Sequence, residues 1–297
     1  MSNKENKDKI IKFLAYDGRI NITCINSTFL VEKAREIHDL SPTATAAFGR
    51  LLTMTAIMGN DMKSEKDKLT VQLKGDGPIG TMVTVSNSLS KVKGYSSNPL
   101  VDVPLSADGK LDVGAAVGNK GFINVIKDIG LKDPYIGMST LVSGEIAEDF
   151  ANYFVQSQGQ EVAVGLGVLI NKDGVKSSGG YMITPMPDAT QEDIYNIEKA
   201  IFSAGAISKM LDKNMSLEDI SKKISGDENI KIIEDHIIPE YECDCSKEYI
   251  AKSLSTIGKE QLETILKEDG RAEITCHFCN NKYEFTKEDL ENIINNI

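Results

Sequence analysis

The 297-residue sequence lacks tryptophan, has only three histidines, and contains no apolar run longer than the nine residues 162–170. A helix that spans a membrane needs about 18 or more such residues, so no transmembrane segment is expected. The opening residues MSNKENKDKIIKF mix charges with Ile10 and Ile11 and never build the apolar stretch of a signal peptide, which points to a cytoplasmic protein. Basic residues are in deficit: 33 Lys and Arg against 44 Asp and Glu leave a net charge of −11. Binding to nucleic acid rests on Lys and Arg that neutralise phosphates, so no nucleic acid is expected as the main partner. A phosphate-binding loop is missing as well, because Gly109-Lys110 and Gly258-Lys259 are followed by Leu111 and Glu260. Nucleotide hydrolysis by that route is excluded.

The scarcities are unevenly placed. Residues 1–180 hold 20 basic and 20 acidic side chains and 20 of the 24 glycines, whereas residues 181–297 hold 13 basic and 24 acidic side chains and four glycines. The first part is neutral and punctuated by glycine, and the whole charge of −11 lies in the second. A hydrophobic fraction of 41% is enough for a packed core, so the chain is globular. Four of its five cysteines fall at Cys243, Cys245, Cys276 and Cys279, and the fifth is Cys24. In a reducing cytoplasm such a cluster suits a metal or redox site better than a disulfide framework.

Residues 20–31 are rich in β-branched types and are expected to form a strand, with Cys24 as a small buried apolar group. Ser41 and Pro42 then suit the N-cap and first position of a helix. The run TATAAFGRLLTMTAIMGNDM that follows is apolar on nearly every side, which predicts a central buried helix with Met54, Met58 and Met62 as core filler. From Lys68 the pattern alternates with period two. Gly75-Asp76-Gly77-Pro78-Ile79-Gly80 matches the glycine fingerprint of dinucleotide sites, but TMVTVS after it alternates as a strand, and the fingerprint needs a helix there. It reads as a turn. Further strands are expected at 91–95, 121–127, 135–142, 161–170 and 179–185, with a helix over 145–157. Many strands without regular β-α alternation predict an α+β fold with a largely antiparallel sheet. After Met186-Pro187-Asp188, the residues Ile194, Ile197, Ile201, Ala204, Ile207 and Leu211 recur at steps of three and four, giving one apolar face on a helix of about five turns. A shorter helix should start at Ser216.

The tail carries the sharpest chemistry. Cys243-Asp244-Cys245 is followed after 30 residues by Cys276-His277-Phe278-Cys279, between runs at 272–275 and 282–285 that read as a hairpin. Three helical patterns, beginning near Ser246, Lys259 and Thr286, accompany them. Four thiolates complete a closed tetrahedral zinc site. His277 sits inside the knuckle and is not expected as a ligand, and His38 and His236 stand alone. So small a domain would draw its stability from the metal, worth on the order of 10–16 kcal/mol in comparable peptides. An oxidant that converts these thiols to disulfides removes the ligands. Neighbouring cysteines, Cys243 with Cys245 and Cys276 with Cys279, should pair most readily because the loops they close are short.

The C-x-C and C-x-x-C motifs at this separation resemble those of the bacterial redox-regulated chaperones called heat shock protein 33, or 33 kDa chaperonin. SPTATAAFGRLLTMTAIMG, LTVQLKGDGPIG, GNKGFINVIKD, EDFANYFVQSQ and GGYMITPMP extend the resemblance over nearly the whole chain. It implies an ATP-independent holdase, dormant when reduced with one zinc ion per chain on Cys243, Cys245, Cys276 and Cys279. Oxidation would form the disulfides Cys243–Cys245 and Cys276–Cys279 and release zinc. The linker would then unfold, and exposed apolar surface would capture unfolding client proteins, the active form being a homodimer.

The resulting organisation is an α+β core domain over 1–185, an amphipathic helical linker over 186–238 and a zinc-binding redox sensor over 239–297. Ile194, Ile197, Ile201, Ile207 and Leu211 are the expected client-binding face. A zinc-ribbon protein that binds nucleic acid is the alternative, which the acidic second half opposes; Tyr283 and Phe285 also lack the interleaved basic residues of a stacking platform. An enzyme is not expected: four cysteines leave a zinc ion no open position, and Cys276 and Cys279 lack the β-α-β setting of a thiol oxidoreductase.

Overall fold

A computed structural model describes residues 8–297; the reading of residues 1–7 as part of a non-signal N-terminus lies outside them. The chain forms two compact units, Met1–Tyr241 and Glu242–Ile297. No helix among the described residues is long and apolar enough to cross a membrane.

The first unit contains two sheets. One is built from β1 (Lys9–Ala15) and β2 (Ile20–Asn26) at the start of the unit, with three later strands. Between β2 and the second sheet come α1 (Thr28–His38) and α2 (Pro42–Asn60). The second sheet takes β3 (Lys68–Lys74), β4 (Thr81–Ser86), β5 (Lys91–Ser96), β6 (Phe122–Asp128) and β7 (Tyr135–Thr140), with the short α3 (Val113–Val117) between β5 and β6. After α4 (Ala147–Tyr153), which runs on as a π-helical turn over Phe154–Gln158, β8 (Ala163–Asn171) and β9 (Gly174–Pro185) return to the first sheet. Then follow α5 (Gln191–Ala204), α6 (Ile207–Asp212), α7 (Leu217–Ser225), β10 (Lys231–Ile237) and β11 (Glu240–Tyr241). The first sheet has the order β10-β1-β2-β9-β8 and is antiparallel throughout. The second has the order β11-β5-β4-β3-β6-β7, antiparallel except for the β11–β5 pair. The α+β class with largely antiparallel sheets is therefore what the structure has.

Helix α2 is the pillar between the sheets and packs on β3, β4, β5, β8 and β9. Ser41 caps it as the sequence suggests, its Oγ accepting from the Ala44 amide at 3.1 Å. From Thr43 to Asn60 every residue but Arg50 is buried. Two threonine hydroxyls it carries inward are satisfied by its own carbonyls, Thr53 by Gly49 at 2.7 Å and Thr55 by Leu51 at 2.8 Å, so these groups are buried with their hydrogen bonds made.

Several expectations need correction. The run 20–31 is a strand only to Asn26; Ser27 to Leu30 opens α1, whose first amides at Phe29 and Leu30 are received by the Asp8 carboxylate at 3.0 and 2.8 Å. The helix expected over 145–157 ends as a regular helix at Tyr153. The single long helix after Pro187 is two, because Gly205 at φ +82° breaks it between α5 and α6. Residues 186–238, expected as a helical linker, carry the helices α5, α6 and α7 and also the strand β10, and lie within the first unit. The glycine run at 75–80 is a turn, as expected, and its glycines admit backbone. Gly77 donates to the Val117 carbonyl at 2.9 Å, and a Cβ there would stand 2.4 Å from the Ala116 oxygen.

The first sheet is apolar on both faces. Ile10, Ile25 and Met182 join α2 in one core, while Phe13, Ala15, Ile20, Ile22, Cys24, Tyr181 and Ile183 form the other. That second core is completed by Ile197, Ala204, Ile207, Met210, Leu217, Ile220 and Ile224 from the three helices of the segment 186–238. The cross-strand partners Gly167 and Gly179 leave the sheet bare where α6 lies, with Ser208 and Leu211 in the space that Cβ atoms would fill. The turn between β1 and β2 anchors the helices with polar contacts. Arg19 grips Asp193 of α5 with Nε at 2.8 Å and Nη2 at 3.0 Å, the Tyr16 hydroxyl donates to the Ser225 carbonyl at 2.7 Å, and the Tyr16 amide donates to Asp227 Oδ2 at 2.7 Å. At the far end, the Tyr241 hydroxyl donates to the Gly94 carbonyl at 2.7 Å and meets His38 Nε2 at 2.9 Å.

Two outcomes follow from these contacts. Gly77→Ala should cost about 2 kcal/mol and lower the melting temperature by roughly 4–8 °C in calorimetry, since its Cβ meets backbone that cannot yield. The Arg19 guanidinium, with the Thr190 amide, holds the Asp193 carboxyl well below the usual carboxylate range against the opposing effect of burial. The stability that Asp193 contributes is therefore complete above the ordinary carboxylate pKa of about 3.9 and is lost as pH falls below it toward the depressed value. Protection factors of α5 amides should drop below about pH 4 in the native protein, and should show a weaker pH dependence in Arg19→Gln.

Candidate metal centre

The second unit is small. Helices α8 (Lys247–Ser255) and α9 (Lys259–Glu268), the hairpin β12 (Ala272–Thr275) and β13 (Lys282–Phe285), and α10 (Lys287–Asn295) surround Leu254, Leu262, Phe285, Leu290 and Ile294. The elements match the sequence reading, and two helix starts are locally marked: Ser246 caps α8, and Thr286 with Asp289 forms a capping box on α10. Lys247 ties the first helix to the last, its Nζ 2.8 Å from Asp289 Oδ2 and 5.3 Å from the centre of the Phe285 ring.

The four cysteines arrive from two places. Cys243 and Cys245 lie in the irregular segment before α8, two residues apart. Cys276 and Cys279 occupy the turn of the hairpin, which closes with the Cys276 amide donating to the Asn281 carbonyl at 2.9 Å and the Asn280 amide to the Cys276 carbonyl at 2.8 Å. Asn280 takes a left-handed φ of 57°, which asparagine tolerates better than most residues.

All four sulfurs fall within 4.8 Å of one another, and all are free thiols. Cys243 Sγ lies 3.9 Å from Cys276 Sγ, and Cys245 Sγ lies 3.3 Å from Cys279 Sγ. Four sulfurs about 2.3 Å from a central ion stand about 3.8 Å apart at the corners of a tetrahedron, and the two separations above bracket that value, so the cluster suits a tetrahedral metal. His277 is outside the group.

Burial pushes the Cys279 thiol up to about 11 and Cys243 further up. Burial also acts to raise Cys245, but hydrogen bonds from Tyr283 and the neighbouring thiols outweigh it and bring that group down. Thiols this close cannot all ionise against one another without a cation, and a dication between them would take all four as thiolates. The Tyr283 hydroxyl stands 3.1 Å from Cys245 Sγ and 3.1 Å from the Cys245 carbonyl oxygen. The sequence reading assigned Tyr283 no role at the cysteines, because its separation of 38 positions from Cys245 conceals the contact.

The residues expected as a client-binding face are elsewhere, in the first unit. Ile197 and Ile207 are buried in the second core, and Ile201 and Leu211 are packed at its margin. Ile194, Ile197 and Ile201 line one wall of a groove opposite Val162, Ala163 and Ile183. Cys24, the fifth cysteine, is fully buried beneath α7, where the Ser221 hydroxyl donates to its sulfur at 3.1 Å and burial pushes the thiol up to about 12.

Titration of the reduced protein with cobalt(II) should give one ion per chain with the absorption of a tetrahedral tetrathiolate. Cys276→Ser should weaken binding more than about 100-fold, since loss of an outer partner alone costs about 10–100-fold.

Comparison with known proteins agrees with this architecture. The family model described as Hsp33 protein matches residues 8–286. The 33 kDa chaperonin of Caldanaerobacter subterraneus subsp. tengcongensis is 47% identical, over 97% of this chain and 98% of its own, and that of Clostridium tetani is 45% identical over 97% and 99%. The crystal structure of the 33 kDa chaperonin (heat shock protein 33 homolog) of Thermotoga maritima superposes with a TM-score of 0.88 at 35% identity, covering 97% of this chain and 98% of that one. The chain thus belongs to the Hsp33 family of chaperones.

Proposed function

We propose that this protein is a redox-regulated, ATP-independent holdase of the cytoplasm, held dormant by zinc and activated by oxidants. The observation that carries the reading is the convergence of Cys243, Cys245, Cys276 and Cys279 in a unit whose own core holds five buried apolar side chains. A bound zinc ion, one per reduced chain, would supply that unit with folding energy. With four protein ligands and no open position, the site suits structure and not catalysis, which fits a protein that is not an enzyme.

The chain's own residues supply the switch. Peroxide takes one thiol to a sulfenic acid with loss of water; a second thiol attacks that sulfur, a disulfide forms and a second water leaves. Cys243 with Cys245 and Cys276 with Cys279 are the proposed pairs, each closing a short loop. Every disulfide removes two thiolate ligands. The hairpin and the segment before α8 then lose their common anchor.

Loss of order is proposed to run back along the chain from Cys243 through β11 and β10 into α7, α6 and α5. Those helices cover the apolar face made by Phe13, Ile20, Ile22, Tyr181 and Ile183, and their own inner side carries Ile197, Ile207 and Leu211. Their release would expose two complementary apolar surfaces at once, a large area of the kind that binds unfolding clients. The family supports clients as partners, and we extend this to a homodimer as the active form. Neither ATP nor nucleic acid has a role in the reading.

The test follows zinc, free thiols and light scattering of a heat-denatured client together. Peroxide with mild heat should release one zinc per chain, remove four thiols and suppress aggregation, and a reductant with zinc should reverse all three. Oxidised protein that has lost zinc yet leaves aggregation unchanged would overturn the reading.

A further inference from the structure

The β12–β13 register sets Tyr283 opposite Ile274, one pair in from the end of the ladder that leads into the cysteine turn. From there its hydroxyl reaches both the sulfur and the main-chain carbonyl of Cys245, each at 3.1 Å. A phenol has one proton to donate and can also accept. While Cys245 is a thiol, its S–H donates to the hydroxyl and the hydroxyl donates to the carbonyl. When Cys245 is a thiolate, the sulfur can only accept, and the same proton is shared between sulfur and carbonyl. The two contacts join the side chain and backbone of a single residue, so together they fix the orientation of its sulfur.

We propose that Tyr283 is a positioning residue of the redox switch, whose hydroxyl holds Cys245 in the metal cluster and restrains its oxidation. The proposal rests on the redox reading above. Two effects act in the same direction. In the zinc-loaded chain Cys245 would be a thiolate with or without Tyr283, so a hydrogen bond to it leaves the ionised fraction unchanged and only draws charge from the sulfur, making it a weaker nucleophile toward the peroxide O–O bond. To bond Cys243, Cys245 Sγ must also approach that sulfur to about 2.05 Å and turn out of its present contacts, which breaks the link to Tyr283. In the oxidation itself the Cys245 sulfur attacks one peroxide oxygen, the O–O bond breaks, and water leaves with a sulfenic acid on the sulfur. The Cys243 sulfur then attacks, the S–S bond forms, the S–O bond breaks and a second water leaves. Two thiols and one peroxide become one disulfide and two waters. Tyr283 gives up no electron; it sets how readily the first attack begins.

The experiment compares the reduced, zinc-loaded full chain with Tyr283→Phe and with a chain carrying 3-fluorotyrosine at position 283. The first keeps the ring without the donor, and the second keeps the shape with a more acidic, stronger donor. Timed quenching by an alkylating agent and peptide mass spectrometry read the Cys243–Cys245 and Cys276–Cys279 disulfides separately, and a chromogenic chelator reads zinc. Tyr283→Phe should form Cys243–Cys245 roughly three- to tenfold faster, as expected for loss of one charge-assisted hydrogen bond. The rate of Cys276–Cys279 should be unchanged, and the fluorinated chain should form Cys243–Cys245 more slowly than the native one. A merely structural role would speed both pairs together and would not respond to fluorine; that result, or equal rates in all three chains, overturns the proposal. If Tyr283→Phe loses zinc without oxidant, the fluorinated chain decides alone, with slower Cys243–Cys245 formation as support and an unchanged rate as refutation. Native protein that forms neither disulfide in peroxide overturns the redox reading, whereas a native chain that responds beside indifferent variants overturns only the role of Tyr283.

Discussion

A sheet with two apolar faces needs two covers, and the rest of the structure depends on where the second one comes from. On β1, β2 and β9 the side chains alternate between Ile10, Ile25 and Met182 on one face and Phe13, Ile22, Tyr181 and Ile183 on the other. The first face is closed by α2, which is buried along nearly its whole length and bound to both sheets. Among the described residues the second is closed chiefly by α5, α6 and α7, which stand late in the chain and shortly before the cysteines. Burial of each large apolar side chain there contributes about 1.5–3 kcal/mol, so the cover is strongly favoured while it is folded and its loss exposes much apolar surface.

The two covers are held differently. α2 lies in a core continuous on both sides, with the buried hydroxyls of Thr53 and Thr55 bonded to its own carbonyls. The helices over the second face rest on one sheet side and on polar contacts at the β1–β2 turn, Arg19 with Asp193 and Tyr16 with Ser225 and Asp227, and along the strands, Ser177 with Ser208, Lys176 with Asp212 and Cys24 with Ser221. They also carry exposed apolar residues on their outward side, Tyr195 and the almost fully exposed Phe202 among them. A cover of this kind is the part of a domain that can open without loss of the rest, because sub-global unfolding follows the elements with the least surrounding core. The second unit is of the same character, with few buried side chains in its core beside four clustered sulfurs.

Much of this was legible in the sequence. Period-two alternation marked β3, β4, β6 and the hairpin β12–β13, and Ser41-Pro42, Ser216, Ser246 and Thr286 marked helix starts that the structure places there. What escaped had a physical reason in each case. The strand β1 and the edge strand β10 show weak patterns: β1 mixes Lys into its apolar residues, and β10 exposes Ile232 and Ile233. α1 was hidden because TFLV is as β-prone as the strand before it, and the carboxylate that receives its first amides, Asp8, lies 21 and 22 residues upstream of them. The break between α5 and α6 lay in a single glycine inside an unbroken apolar rhythm.

By itself, then, the sequence determined the α+β class, the amphipathic helices after Pro187, the turn at 75–80 and the four cysteines as a group, since local periodicity and fixed motif spacing carry these. Only the tertiary structure decided that those helices complete the core of the first unit, that Gly167 and Gly179 clear a seat for α6, that the sulfurs meet at tetrahedral spacing, and that the Tyr283 hydroxyl rests on Cys245. These are contacts between residues far apart in the chain, and a sequence pattern records which face of an element is apolar without recording what that face will meet.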